Sequence, residues 1–266
     1  MTKEQRFVFE AVHTVLHFGL GNAKLAEIIA TFSLPAGWTC PAALECMSKA
    51  DRFTGKITDG PETCFRCFAA TNEARATTVR NARWRNFELL KQAKSVQAMA
   101  NLIQRSLPFG VQKVRIHVSG DFFSETYFLA WLNVALNNPM IVFYGYTKRC
   151  GLLVKYAKKI PANFRLTVSK GGKEDSLIVK HNLKYAEVVF STEDARRKGL
   201  EIDHDDSHAF AGEKSFALLL HGTQPKGTVA GEAWKEIKKT VGGYDRNKKN
   251  WRKARPDKSV KILVAA

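Results

Sequence analysis

Four of the chain's five cysteines, Cys40, Cys46, Cys64 and Cys67, fall within one short stretch at the spacing C-x5-C-x17-C-x2-C. Two pairs of thiols separated by a loop can converge on one metal, and the second pair has the form of a metal knuckle. Four thiolates suit both Zn²⁺ and a [4Fe–4S] cluster, so the spacing leaves the two open. It also leaves open a redox pair at Cys64 and Cys67, or ordinary buried thiols. The first gap is wider than in zinc ribbons. Cys150, alone at the start of an expected helix, reads as incidental.

Around these cysteines the pattern predicts an α/β fold with strands and helices in alternation. The runs "VQKVRIHVSG", "PMIVFYGYT", "NFRLTVSKGG", "AEVVFST" and "KSFALLLHGT" read as strands, and so does the early run "KLAEIIATFSLPAG". Helices are expected over "SETYFLAWLNVALNN", "RCGLLVKYAKKI" and "TVAGEAWKEIKKTV", with a long helix from about Cys67 to Leu107 and a short one within 3–18. This spacing implies βα units and a largely parallel sheet of about six strands, open or closed into a partial barrel. With no repeat or linker, 1–266 reads as a single domain. The cysteine loop, 38–68, is inserted at the sheet edge, and 236–266 forms a basic C-terminal tail.

In such sheets the working side chains collect at the C-terminal ends of the strands. Here those ends carry Ser119, Gly120 and Asp121, then Thr147 and Lys148, then Ser169 and Lys170, and finally His221. Asp121 could bind a ligand amine, act as a general base or serve as a nucleophile, though a helix cap is the bland alternative. Lys148 suits a phosphate or carboxylate, "SKGG" offers a small anion cradle, and His221 suits proton transfer. The acidic stretch "EIDHDDSHAF" reads as a solvated loop rather than a metal patch, because its donors lie too close in sequence to converge.

A net charge of +17 predicts attraction to polyanions, nucleic acid first among them. Arg75, Arg80, Arg83 and Arg85 occur in a run without acids, and the tail adds Lys248, Lys249, Trp251 and Arg252, a composition that contacts phosphates and stacks on bases. The four arginines do not share one helical face, which weakens a phosphate-tracking stripe. No signal peptide or membrane span is apparent, so a cytoplasmic protein is expected.

The stretches "SLPAGWTCPAALEC", "RCFAATNEAR", "RWRNFELL", "VRIHVSGDFFSETYFLAWL", "FYGYTK" and "HGTQPKG" resemble the phage and prophage proteins of the gene product 88 family. That resemblance implies a phage or mobile-element origin and carries no activity with it. The order strand, cysteine loop, strand ending in "SGDF", helix, strand is similar in layout to radical S-adenosylmethionine enzymes. That likeness implies a [4Fe–4S] cluster at the mouth of a partial barrel and S-adenosylmethionine beside it. The C-x3-C-x2-C of those enzymes is absent, and "SGDF" stands where they carry Gly-Gly-Glu-Pro.

The expectation is therefore a nucleic-acid-modifying or processing enzyme with its centre at the strand-end rim. Asp121, Lys148 and His221 would be catalytic, with Ser119, Gly120, Ser169 and Lys170 at a cofactor. Base exchange through Asp121 is a variant of this reading. The alternative is a non-enzymatic DNA- or RNA-binding protein stapled by a structural zinc on all four cysteines.

Overall fold

The computed structural model describes residues 14–21, 25 and 29–240. Seven strands form one sheet in the order β1 (Phe18–Leu20), β2 (Ile29–Ser33), β5 (Lys113–Ser119), β6 (Val142–Thr147), β7 (Phe164–Ser169), β8 (Tyr185–Val189) and β9 (Phe216–Leu219). The two strands missing from that order, β3 (Ser48–Ala50) and β4 (Ile57–Asp59), pair with each other as a separate antiparallel hairpin. In the main sheet all neighbours are parallel except β1, which runs antiparallel to β2 at the edge. From β2 onward the spatial order is the sequence order, with no reversal. Right-handed crossovers that all step the same way put the main crossover helices on one face, and the sheet curls around the other. The result is an open, partial barrel of six parallel strands, one edge extended by β1.

Nine α-helices are present among the described residues. Those between β4 and β5 are α1 (Phe68–Arg75), α2 (Thr77–Gln92) and α3 (Val96–Ser106), so the expected single long helix is broken twice. The first break is Ala76, whose extended backbone (φ −122°, ψ 100°) turns the chain. The second is Lys94, in a left-handed conformation, followed by Ser95, which caps α3 by accepting from the Ala98 N–H. The helix expected over 3–18 lies largely outside the described residues, and its last residue begins β1.

Outward strand residues pack on the helices. Val114, Ile116, Phe143 and Val168 join Phe128, Trp131 and Val134 of α4 (Glu125–Asn137), and Leu152 and Leu153 of α5 (Cys150–Tyr156), in the main core. The inward face is polar where it is deepest. Arg115 of β5 pairs with Asp206 and lies over the Tyr146 ring at 4.6 Å, and the hydroxyls of Tyr144 and Tyr146 point to the same carboxylate at 3.5 Å. Asp206 belongs to the stretch expected to be a solvated acidic loop. Asp203 and Asp206 are instead fully buried, because the loop before β9 folds under the barrel and closes its N-terminal end with α8 (Ser207–Phe210). The short helices α6 (Ser176–Lys180) and α7 (Thr192–Arg197) follow β7 and β8, and α9 (Val229–Thr240) closes the described chain.

Removing Asp206 would leave the Arg115 guanidinium buried without its partner, a loss that costs about 3–5 kcal/mol. Asp206→Ala is therefore expected to lower the stability of the full chain by that amount in urea unfolding, with Asp205→Ala, a more exposed neighbour, close to unchanged.

Candidate functional site

The loop 38–68 crosses the C-terminal mouth of the barrel, and the hairpin of β3 and β4 that it carries was not foreseen from the sequence. It is sewn to the end of β7: Glu45 N–H donates to Gly171 O, Lys173 N–H to Ala42 O, and Ala43 bridges Gly172. This close approach explains two glycines. Gly120 has φ +87°, and a Cβ there would sit 2.5 Å from Thr39 Oγ1; Gly171 has φ +94°, and its Cβ would meet Glu45 at the same distance. The "SKGG" turn is thus occupied by the loop, and its Gly171 and Gly172 N–H groups donate to Asp175 rather than to an anion.

Beneath the loop lies a cavity of about 170 Å³. Of the residues singled out from sequence, Cys40, Cys46, Cys67, Ser119, Gly120, Asp121, Lys148, Ser169 and His221 all line it. Cys64 and Lys170 do not. Cys64 is exposed, its Sγ turned to Glu62 O, because the turn before α1 points it outward. Lys170 reaches Glu187 on the outer surface of the rim.

Several of these groups hold the resting architecture together. Asp121, buried, accepts from Thr147 Oγ1 (2.6 Å), Lys148 N–H (2.8 Å) and Phe122 N–H (2.7 Å), which ties the ends of β5 and β6 together. Burial pushes its carboxyl above the usual range, against the pull of those donors. The Lys148 ammonium donates to the carbonyls of Ser169 and Lys170 and to Ser169 Oγ, so all three protons are engaged across to β7. His221 rests on the Phe68 ring, 4.4 Å between centroids. Gln224, just beyond β9, grips the Arg66 backbone from both sides, at 2.7 and 3.0 Å, and so fixes the turn that carries Cys67.

Cys40, Cys46 and Cys67 are close enough for their charges to interact. Burial raises the Cys40 thiol well above its ordinary value, with Asp121, Cys67 and Cys46 adding to the rise. Burial likewise pushes Cys46 to about 11, partly relieved by Lys148. Burial raises Cys67 too, while the Ala70 and Ala69 N–H groups at the start of α1 and the Arg83 guanidinium pull it back. Three thiols in one buried pocket cannot all ionise unless a cation joins them. Among the described residues no group of three or more His, Cys, Asp or Glu side chains converges tightly enough to hold a single metal ion. Cys64, exposed, stands apart from the other three.

The arginine run has a different fate from the one expected. Arg80 and Arg83 are 4% and 5% exposed, so they are not surface ligands for phosphate. Arg83 pairs with Glu73, itself fully buried, and donates to Ala69 O; Arg80 donates to the carbonyls of Arg52, Glu73 and Phe53. Glu73 in turn accepts from Ala36 N–H and Ser119 Oγ, so the network braces the cysteine loop against β5. Arg75 and Arg85 stay near the surface, where Arg85 donates to Val15 O. Lys248, Lys249, Trp251 and Arg252 lie outside the described residues.

A half-barrel whose strand ends carry a cysteine-lined cavity defines an α/β protein with a candidate site at the mouth of a parallel sheet. The gene product 88 family profile matches residues 12–244, and the chain belongs to that family. It is 28% identical over 158 residues to the Gene 88 protein of Mycobacterium phage L5, covering 56% of this chain and 59% of that protein. To the Gene 88 protein of Mycobacterium phage D29 it is 26% identical over 147 residues, 52% and 55% of the two chains. The chain thus spans somewhat over half the length of these curated relatives. No solved structure matches it. No helix among the described residues is long and apolar enough to cross a membrane.

The thiol environments predict an order of reactivity. In metal-free, reduced protein at neutral pH, iodoacetamide should label exposed Cys64 first, with Cys46 slow because it stays protonated until the pH approaches about 11. The folded state holds that proton more tightly than the unfolded thiol, whose value is near 9, so the stability it contributes is complete below about 9 and is lost as pH rises through about 11. Mass spectrometry of tryptic peptides labelled across pH checks the order, and urea unfolding across the same range checks the stability.

Proposed function

We propose that the chain is an enzyme that modifies or processes nucleic acid at a centre held by Cys40, Cys46 and Cys67, an iron–sulfur cluster in the leading form. The observation that carries this reading is that these three half-buried cysteines, and not the exposed Cys64, share one cavity at the mouth of the parallel strands. A closed set of four thiolates is the mark of a structural metal, whereas three protein ligands and an open position mark a reacting one. A cluster attaches its thiolates to separate iron atoms and does not need them to converge on one point, which suits the spread of these three. When bound, such a centre would supply single electrons or a Lewis-acid position facing the cavity. Ser119, Gly120 and Ser169 border the same space and would border a co-substrate such as S-adenosylmethionine if one were bound there. The net charge of +17 supports a polyanionic partner, even with Arg80, Arg83 and Arg115 engaged internally.

Within this reading Asp121 and Lys148 position the site. Their hydrogen bonds are committed to holding three strand ends at the curvature that brings the cysteines together.

Anaerobic reconstitution with ferrous iron and sulfide tests the proposal. The wild-type chain should take up iron and sulfide and become coloured. Cys46→Ala should lose most of the iron, and Cys64→Ala should keep it. A colourless protein with stoichiometric zinc that Cys64→Ala also abolishes would establish the structural-zinc reading instead. For the partner, the logarithm of the affinity for single-stranded DNA or RNA should fall with the logarithm of salt concentration by about 0.7 per phosphate contacted. A flat dependence would refute nucleic-acid binding through charge.

A further inference from the structure

Trp38 and Phe53 line no part of the cavity and stand in solvent, 45% and 83% exposed. Single exposed aromatic side chains are ordinary on protein surfaces. These two are joined by a run in which rings and cations are interleaved. Lys49 Nζ lies over the Trp38 ring, 4.9 Å from its centroid, and the Trp38 and Trp84 rings are 5.6 Å apart. The Arg52 guanidinium then lies over both Trp84 and Phe53, at 5.1 and 5.7 Å. Along α2 the run continues through Phe87, 5.9 Å from Trp84, with Lys91 over it at 5.5 Å.

The exposed rings are held in place by the backbone beneath them. Phe53 sits at the tip of the β3–β4 hairpin, in a turn closed by Asp51, whose carboxylate accepts from the Phe53 and Thr54 N–H groups at 3.0 and 2.7 Å. Buried Arg80 donates to the carbonyls of Arg52 and Phe53, at 2.9 and 3.3 Å, and so fixes the same turn from below. Trp38 is tied by its indole N–H, which donates to Ala50 O at 2.9 Å. Rings fixed in this way lose little freedom when a flat ligand stacks on them. The run also reaches the mouth of the barrel. Trp38 precedes Cys40 by two residues, and Phe87 packs 5.1 Å from Phe123, which follows Asp121 by two.

The cations decide what kind of ligand fits. Among the described residues neither Lys49 nor Lys91 is paired with a carboxylate, whereas Arg52 is paired with Glu88. Open aromatic faces interleaved with unpaired ammonium groups match a chain of unstacked bases joined by phosphates. A duplex keeps its base faces to itself, and an acidic peptide would engage the lysines while leaving the rings in water. We infer that single-stranded nucleic acid lies along this face, its bases stacking on Phe53 and Trp38 and its phosphates meeting Lys49 and Lys91. This rests on nucleic acid being the partner, and it names the form of that partner and the surface that takes it.

Anisotropy titrations of labelled oligothymidylate with the full chain test it. Phe53→Ala, at an exposed site, should fold as wild type and weaken binding by about tenfold with the salt slope unchanged. Lys91→Ala should instead lower that slope by about 0.7. Phe53→Trp should keep the affinity, and its added emission should be quenched by the oligonucleotide. The duplex with oligoadenylate should bind more weakly than the single strand. If Phe53→Ala and Trp38→Leu both bind as wild type, the inference is overturned while charge-driven binding stands. A duplex bound as tightly as the single strand would overturn it too. Displacement by polyglutamate as effective as by oligothymidylate would assign the face to an acidic protein, again against the inference. Absence of all binding refutes this surface and the nucleic-acid partner together. Iron uptake by Phe53→Ala should match wild type, so failure of the metal centre is read apart from failure of this face.

Discussion

The Asp121 carboxylate is the constraint on which the mouth of the barrel depends. Parallel strands are held along their length by the ladder, but their C-terminal ends have no such tie, and here they must diverge into loops that cross one another. Asp121 takes three donors from the ends of β5 and β6, and Lys148, whose own N–H is one of them, carries the tie onward to two carbonyls at the end of β7. Charge-assisted bonds of this kind are stronger than neutral ones, and inside a protein they are not screened by water. The raised carboxyl of Asp121 reflects the same burial that gives the tie its strength. Loosening it would let three strand ends move independently, and the cysteine loop seated across them could no longer hold its thiols over one cavity.

A second network supports that loop from behind. Glu73 and Arg83 form a buried pair that reaches Ala36 at the start of the loop, Ser119 at the end of β5 and the first turn of α1, which begins directly after Cys67. A buried pair contributes little net stability against well-packed apolar side chains, so its value here is in fixing geometry. Cys40 and Cys67, far apart in sequence, are brought to one cavity by these two networks rather than by each other. In that arrangement the protein itself holds the three thiols together, and burial makes their thiolates hard to form.

Much of this was legible in the chain, and the reasons for success and failure differ by residue. The strands β5 to β9 were readable because both faces of a parallel sheet are covered, which leaves short apolar runs between turn residues. The rim residues were readable because strand ends in such sheets are polar by construction. Arg80 and Arg83 misled because a basic residue on a helix is usually solvated, and only the fold reveals that Glu73 waits opposite. The "EIDHDD" stretch misled for the converse reason: Asp206 answers Arg115, which is distant in sequence. Cys64 was grouped with Cys67 by spacing alone, while the turn between them faces their side chains in different directions.

One signal was present and went unread. In "VRIHV" two polar residues stand two apart inside an apolar strand, and side chains at i and i+2 share a face. A strand buried on both sides has no reason to carry a cation and an imidazole on one of them unless that face looks into a space with polar work to do. Arg115 finds part of its answer in Asp206, and β5 bulges at His117, which lines the same space, at the expense of an unfavourable backbone. Strain of this sort persists only where its surroundings impose it. In this barrel Gly145 of β6 makes room for the distortion, since a side chain there would lie 2.4 Å from Ile116 O. The missing Cβ lets the distorted strand press against its neighbour, while on the other side His117 is held against Tyr127 and Phe122.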